Sequence, residues 1–234
     1  MSPKEDSSPT ISFASDHSLL LVFGNGVSRA VHHNVLRLFK LLQAAPPAGL
    51  RNIHPAYNSV LVSFDPIVAP PKEFELQVVS LLDQLNSVIL ASPNVVEIPV
   101  CYDRSLAPDL EFVANHAGLA VDDVIQLHAS VEYLVYFIGF TPGFPYLGEL
   151  PDRLATPRLA VPRLLVAEGS VAIGGRQTGI YSLPSPGGWR VIGRTPLKLF
   201  RPRESVPTLL EIGDQVKFRP VSLQEFNDMT KEAK

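Results

Sequence analysis

Four arginines in the second half of the chain have neighbours that would hold a charged side chain rigidly. Arg158 and Arg163 each follow a proline, whereas Arg176 and Arg194 each follow a glycine. A guanidinium group on a rigid loop can bind a carboxylate or a phosphate through two parallel hydrogen bonds. The alternative is that the same groups donate hydrogen bonds to loop carbonyls at the surface. The arginines therefore predict an anion-binding site, but they leave the structural interpretation open.

Glycine, proline and aromatic residues are concentrated in three stretches around these arginines, at residues 139–148, 177–181 and 185–195. Glycine reaches backbone angles that other residues resist, and proline fixes φ and removes a donor. Such stretches are typical of short strands joined by loops of defined shape, which often carry function. We therefore expect the three stretches to converge at one end of a barrel.

Neither a metal site nor a disulfide is expected from the distribution of histidine and cysteine. The one cysteine, Cys101, has no second cysteine to pair with. None of the histidines has the spacing of metal ligands; they are His17, His32, His33, His54, His116 and His128. His128 differs from the others because it ends a short predicted helix just before the barrel strands. The helix C-terminus would favour the cationic form of its ring, and both a catalytic and a capping role remain open.

Hydrophobic periodicity predicts the elements that would position these residues. Up to about residue 94 the order is β-β-α-β-β-α, with helices over residues 27–43 and 72–85. Beyond it the chain is strand, glycine and proline, apart from helical patterns at 109–117, 121–127 and 223–231. We predict a disordered tail over residues 1–10, an α+β sandwich domain over 11–94, a closed or nearly closed β-barrel over 95–225 and a C-terminal tail over 226–234.

Composition and charge exclude several classes of function. The net charge of −3 and the absence of a basic run give no electrostatic footprint for nucleic acid. No apolar run approaches the ~18 residues of a membrane span, and the polar N-terminus does not have the apolar core of a signal peptide. Neither a G-x-x-x-x-G-K-[ST] loop nor a G-x-S-x-G elbow occurs. We therefore expect a cytoplasmic protein that binds neither nucleic acid nor membrane.

Several long, rare sequence motifs occur in order: they are residues 139–148, Pro157-Arg158, Pro162-Arg163, 169–171, 177–181, 185–189 and 193–196. On these motifs the chain resembles the family of 5-oxoprolinase B subunits, also described as allophanate hydrolase subunit 1 or sporulation kinase inhibitor. The resemblance extends over roughly residues 15–220, which is far more specific than a single motif. The chain departs from the family pattern at Ala167-Glu168, Gly174 and Ser182. These departures leave the expected fold unchanged but leave the identity of the substrate open.

The resemblance implies an α+β N-terminal domain followed by an all-β cyclophilin-like barrel domain, and a subunit rather than a complete enzyme. Family members open 5-oxoproline, a small cyclic amide, to L-glutamate at the expense of ATP, together with a C-type partner subunit of the 5-oxoprolinase and a lactam-opening A-type subunit. ATP is therefore expected in the assembled complex, and whether this chain contacts it stays open. Two alternatives also stay open: a module that inhibits a histidine kinase, and the carboxyltransferase half of a urea or allophanate amidolyase.

Candidate roles follow for residues of the barrel. The candidate catalytic residues are His128, Gln177 and Arg194. The candidate substrate-binding residues are Arg158, Arg163, Thr178, Tyr181, Ser185, Trp189 and Thr195. The arginines would bind an anionic group, and Gln177 with Thr195 would bind the amide. For tyrosine and tryptophan the alternative is packing in the barrel core or rim.

Overall fold

A computed structural model of the protein describes residues 8–232 and divides the chain into two compact units. One unit ends at Ser92 and the other begins at Pro93. Within the described residues, no helix is long and apolar enough to cross a membrane. In the same part of the chain, no three His, Cys, Asp or Glu side chains come together in a group that could hold a metal ion.

The N-terminal unit contains one antiparallel sheet and two helices. Its elements are β1 (Thr10–Ser15), β2 (Ser18–Val22), α1 (Arg29–Ala44), β3 (Leu50–Pro55), β4 (Ser59–Phe64), α2 (Pro71–Leu82) and a 3₁₀ turn at Leu85–Ser87. The strand order is β1-β2-β4-β3, with antiparallel neighbours throughout. This is the predicted order of elements, although α2 ends three residues before the predicted end of the second helix.

Strand alternation and helical spacing explain the core of this unit. In β4, Val60 and Val62 lie on the same face and are buried, as the two-residue period of a strand requires. In α1, Val35 and Leu38 belong to the buried stripe, and the helix packs on β3 and β4. The apolar faces that the sequence predicts for strand and helix therefore meet in one core.

The C-terminal unit is a closed seven-stranded barrel with helices and a separate two-stranded sheet. Its elements are β5 (Val95–Cys101), α3 (Leu110–Ala117), α4 (Val121–Ala129), β6 (Glu132–Ile138), β7 (Pro145–Gly148), β8 (Arg163–Val166), β9 (Ser170–Gly174), β10 (Gln177–Ile180), β11 (Ser185–Gly187), β12 (Arg190–Arg194), β13 (Gln215–Val221) and α5 (Leu223–Glu232). The barrel order is β10-β7-β6-β13-β5-β12-β9, and the pairing of β9 with β10 closes it. β8 and β11 form the separate sheet. The predicted closed barrel is confirmed.

The three helices of this unit lie where the helical patterns predict them, but the all-β description of the domain is wrong. The unit is not all-β, because α3 packs on β12, α4 on β13 and α5 on β5. Residues 226–232 of the predicted C-terminal tail belong to α5, which buries Phe226. A capping signal marks the start of α5, where the Ser222 hydroxyl accepts a hydrogen bond from the Glu225 amide at 3.1 Å. At the other end of the chain β1 includes Thr10 of the predicted disordered tail, and residues 1–7 lie outside the described residues.

We expect residues 93–234 to fold without the N-terminal unit, because the first barrel strand, β5, pairs with the last, β13. Trp189 is the single tryptophan and is buried in this unit, so that its fluorescence should report one cooperative transition in urea. A fragment that ends at residue 225 should unfold at lower urea concentration, because it loses the buried ring of Phe226. Absence of a cooperative transition in the longer fragment would contradict the prediction.

Candidate functional site

Two pockets in the C-terminal unit contain several of the candidate residues. The first, which we call the aromatic pocket, has a volume of about 320 Å³ and is lined mainly by Phe140, Phe144, Tyr146, Arg158, Tyr181 and Trp189. The second, which we call the polar pocket, has a volume of about 250 Å³ and is lined mainly by Ser105, Arg163, Leu165, Ser170, Val191 and Arg194. The candidate arginines therefore belong to two places and not to one.

Edge-to-face contacts between rings build the floor of the aromatic pocket. The ring centroid of Phe144 lies 5.3 Å from that of Tyr181 and 5.6 Å from that of Trp189, at interplanar angles of 85° and 84°. All three rings are buried. Gly174 makes room for Trp189, because a Cβ at that position would lie 2.5 Å from the indole ring. The preferred geometry of aromatic pairs thus holds the floor rigid.

Phe140 stands at the edge of this pocket in a conformation that a bulky residue rarely adopts. Its φ is 65° and its side chain is 59% exposed. The surrounding loop is held closed, since the Gly139 amide donates to the Phe144 carbonyl at 3.0 Å and the Ser182 hydroxyl donates to the Pro142 carbonyl at 2.7 Å. Backbone strain of this kind costs on the order of 1–3 kcal/mol and is concentrated at functional sites. The loop therefore presents an aromatic ring to solvent at the pocket edge.

Arg158 is the one charged residue among those that line the aromatic pocket. Its guanidinium lies 5.6 Å from the centroid of the Trp189 ring, within the range of a cation–π contact. Burial raises the pKa of Tyr146 and of Tyr181, and the charge of Arg158 acts in the opposite direction. Both phenols are therefore neutral at neutral pH and can donate hydrogen bonds. The pocket combines flat apolar walls, one cation and neutral donors.

A buried carboxylate, that of Asp109, anchors one wall of the polar pocket. It accepts two hydrogen bonds from Arg163, at 2.8 and 3.0 Å, and one from the Val191 amide, at 2.7 Å. A guanidinium nitrogen of Arg190 lies 3.7 Å from the same carboxylate. The hydrogen bonds with Asp109 raise the pKa of Arg163. Arg163, a candidate substrate-binding residue, is thus paired inside the protein.

Two loops that approach each other closely hold Arg194. Its Nε donates to the Glu168 carbonyl at 2.8 Å, and the Thr195 amide donates to the Gly169 carbonyl at 2.9 Å. Gly169 has a φ of 80°, and a Cβ there would lie 2.4 Å from the Thr195 carbonyl oxygen. Only glycine permits this approach. The sequence motifs around residues 169 and 194 therefore fold into one structure that positions the arginine.

His128 lies in the barrel core and not at a pocket. It is fully buried, and its ring stacks on Phe218 with centroids 4.5 Å apart. Nδ1 lies 2.8 Å from the Tyr102 hydroxyl and Nε2 lies 3.0 Å from Oγ1 of Thr178, which is within 3.2 Å of the Ala172 carbonyl. These bonds are all satisfied if Tyr102 donates to Nδ1 and Nε2–H donates to Thr178. Burial lowers the pKa of His128 to about 3, so the expected cationic form is wrong.

The remaining candidates line neither pocket. Gln177 begins β10 opposite Gly174, and the hydroxyl of Thr195 accepts a hydrogen bond from the Leu197 amide at 3.2 Å. Ser185 is buried in β11, and its hydroxyl has no hydrogen-bond partner in the part of the chain that the structure describes. The structure thus brings Arg158, Tyr181 and Trp189 together in one pocket and Arg163 with Arg194 in the other. Catalytic roles for His128, Gln177 and Arg194 stay predictions.

The chain has relatives in a known family. Residues 9–210 match the family described as carboxyltransferase domain, subdomain C and D, and the chain belongs to this family. The 5-oxoprolinase B subunit of Bacillus subtilis (strain 168) is 37% identical over 228 residues, which cover 93% of this chain and 95% of that protein. The resemblance inferred from the sequence motifs is confirmed.

Two longer proteins contain a section that is similar to this chain. TTHA0988, for which a crystal structure exists, is 40% identical to this chain in sequence, and the two structures agree with a TM-score of 0.76. The match covers 88% of this chain and 40% of TTHA0988. Urea amidolyase of Saccharomyces cerevisiae is 27% identical over 259 residues, which cover 94% of this chain and 14% of that protein. In both proteins most of the chain lies outside the section that this chain matches.

The neutral, buried His128 predicts a loss of stability in acid. Its folded-state pKa, about 3, lies below its ordinary value of 6.5, so the unfolded chain binds the proton first. The contribution to the free energy of unfolding is complete above about pH 6.5 and is lost as the pH falls towards 3. At about pH 4.5 the loss is on the order of 2–3 kcal/mol. His32, whose pKa burial lowers to about 4, acts in the same direction in the N-terminal unit.

The measurement is urea unfolding at pH 7 and at about pH 4.5, followed by Trp189 fluorescence. His128→Gln should be less stable than wild type at pH 7, but acidification should cost it roughly 2 kcal/mol less. His116→Gln is the matched control, because His116 is exposed on α3. Equal acid losses in all three proteins would show that His128 is not the group responsible.

Proposed function

We propose that this chain is the B subunit of a cytoplasmic, ATP-dependent 5-oxoprolinase. The complex would open 5-oxoproline to L-glutamate together with a C-type partner and a lactam-opening A-type partner. The observation that carries the proposal is the aromatic pocket, in which one arginine stands beside flat rings. The similarity to a B subunit of that name over nearly the whole of both chains supports it. A pocket of about 320 Å³ is also within the usual size range for a small ligand.

The chemistry of 5-oxoproline matches this pocket group by group. The substrate is a flat five-membered lactam that carries one carboxylate. Trp189 and Phe140 offer ring surfaces for the lactam, and Arg158 offers a charge-assisted hydrogen bond to the carboxylate. The neutral hydroxyl of Tyr146 can donate to the lactam oxygen, which polarises the amide carbon. No residue lining the pocket is a nucleophile or a general base, so the ring opening itself requires another subunit.

ATP would supply the free energy for ring opening in the assembled complex. This chain has no G-x-x-x-x-G-K-[ST] loop to hold a triphosphate. The arginine and serine side chains of the polar pocket fit a single phosphate or carboxylate group. We therefore place the adenosine of ATP on a partner protein, and this chain binds and orients the small substrate.

Strand β8 offers a surface for the C-type partner. Val161, Leu164 and Leu165 are 81%, 91% and 67% exposed, and β8 pairs with one strand only, β11, among the described residues. An unpaired strand edge with exposed apolar side chains is normally covered. Leu165 lines the polar pocket, while Pro162 lines the aromatic pocket. A partner on β8 would therefore reach both pockets, which explains why the chain alone should be inactive.

The carboxyltransferase half of a urea amidolyase is the second candidate, and the similarity to urea amidolyase favours it. Urea is a planar amide without a carboxylate, so Arg158 would then have no partner on the substrate. This difference separates the two candidates by chemistry. Inhibition of a histidine kinase stays a prediction from the resemblance alone.

The assembled complex should form L-glutamate from 5-oxoproline with matching ATP hydrolysis. Arg158→Gln should raise KM about 10- to 100-fold, because a charged hydrogen bond to the carboxylate is lost. Arg176→Gln is the control, because Arg176 is exposed, pairs with Asp152 and lines neither pocket. Turnover by this chain alone would refute the proposed role as one part of a larger enzyme. A complex that consumes urea and ignores 5-oxoproline would favour the second candidate.

Leu164→Glu should weaken binding of the purified C-type partner at least about tenfold, because it buries a charge in an apolar contact. Size-exclusion chromatography and calorimetric titration measure the complex. Ile67→Glu is the matched control, since Ile67 is 93% exposed in the N-terminal unit. The docking surface would be excluded if both variants bound the partner as tightly as wild type.

A further inference from the structure

The polar pocket is not used by the proposed binding of 5-oxoproline in the aromatic pocket. It nevertheless gathers sequence motifs that stand far apart in the chain, since Ser170 and Arg194 both line it. These residues are opposite each other on the neighbouring strands β9 and β12. Polar groups on facing strands that open into one depression are typical of a binding site.

Arg194 has the geometry of a prepared anion receptor. Its Nε is held by the Glu168 carbonyl at 2.8 Å, which fixes the plane of the guanidinium. Within residues 8–232 the two terminal nitrogens have neither a hydrogen-bond nor an ion-pair partner. Two parallel N–H groups on a fixed plane match the two oxygens of a carboxylate or a phosphate. Little side-chain freedom is lost on binding, because the group is already held.

The charges around the pocket add to this preference. Arg163 and Arg190 share the single carboxylate of Asp109, so that this cluster keeps an excess positive charge. The exposed Asp103 carboxylate, which lies near Ser105, accepts hydrogen bonds from the amide and the hydroxyl of that residue. Glu168 contributes its backbone carbonyl to Arg194. The charged residues that line the pocket itself are Arg163 and Arg194, and both are positive.

Ser170 supplies a second donor. It is 4% exposed and lines the pocket, and its hydroxyl has no hydrogen-bond partner among the described residues. Its backbone is fixed on both sides, because its amide donates to Ala167 at 3.2 Å and its carbonyl accepts from Tyr181 at 2.9 Å. A hydroxyl that lines a pocket and has no protein partner is available to a ligand or to water.

We propose that the polar pocket binds a small oxyanion, a carboxylate or a phosphate group, with Arg194 as the bidentate donor and Ser170 as a second donor. Arg163 adds a positive charge to the lining of the pocket, while two of its N–H groups donate to Asp109. The volume of about 250 Å³ accommodates a group of this size. The site is separate from the aromatic pocket, so that the proposal does not depend on which small amide the aromatic pocket binds.

The test uses the purified full chain and two probes, inorganic phosphate and acetate, titrated by calorimetry and by thermal unfolding at constant ionic strength with chloride as the reference. Wild type should show saturable binding and a rise in Tm with at least one probe. Arg194→Met should weaken that binding about 10- to 100-fold, and Ser170→Ala should weaken it by a smaller factor. Arg194→Lys keeps the charge but loses the fork, so its affinity should fall between wild type and Arg194→Met. Arg176→Met should bind like wild type.

Each outcome bears on the site. Binding of phosphate alone, of acetate alone or of both supports the proposal and identifies the source of the oxyanion. Absence of saturable binding of either probe to wild type would overturn it. An Arg194→Met protein that folds and binds the probes like wild type would also overturn it. So would a result in which Arg158→Met loses binding and Arg194→Met keeps it, because the anion would then lie in the aromatic pocket. If Arg194→Met failed to fold, Arg194→Lys and Ser170→Ala would still decide.

Discussion

One buried carboxylate, that of Asp109, ties the two-stranded sheet of the C-terminal unit to the barrel. The sheet of β8 and β11 is not part of the hydrogen-bonded ring of the barrel, and Asp109 attaches it, because the same side chain binds Arg163 at the start of β8 and the Val191 amide in β12. Loss of one partner of a buried pair costs on the order of several kcal/mol, since the other charge is left without compensation. Both pockets depend on this attachment, because Pro162 lines one and Arg163 lines the other.

The glycines of the barrel serve close packing more than flexibility. A Cβ at Gly187 would lie 2.2 Å from the Tyr181 hydroxyl, and one at Gly174 would lie 2.5 Å from the Trp189 ring. The rings can lie this close to the backbone only where no side chain intervenes. The glycine pattern and the aromatic floor therefore depend on each other. The rings of Tyr181 and Trp189 fit only where glycine has no side chain, and they fill the space that the glycines leave.

The elements and the barrel were predictable because periodicity and turn residues are local properties. The separation of the arginines into two pockets was not, since it follows from barrel closure between strands far apart in the chain. Asp109 shows the limit well. Its position before α3 suggests a favourable contact with the helix dipole, yet its side chain makes no capping bond and binds Arg163 instead. His128 shows the same limit, because full burial outweighs the effect of the helix end on its ring. Phe140 and Phe144 lie within the motif at residues 139–148, but no role was predicted for them from the sequence, and only their packing identifies them as walls of the aromatic pocket.

The arrangement of the two pockets also accounts for a division of labour within the proposed complex. An activated amide must be kept from bulk water while it reacts, yet both pockets lie at the surface of this chain and the aromatic one contains no base or nucleophile. Apolar residues that a partner could cover are exposed on this chain: they are Val161, Leu164 and Leu165. A partner that covers them would dry the site and add the missing reactive groups in one step. Substrate recognition and chemistry would then be coupled by assembly, since the groups that bind the ring and the groups that open it meet only in the complex.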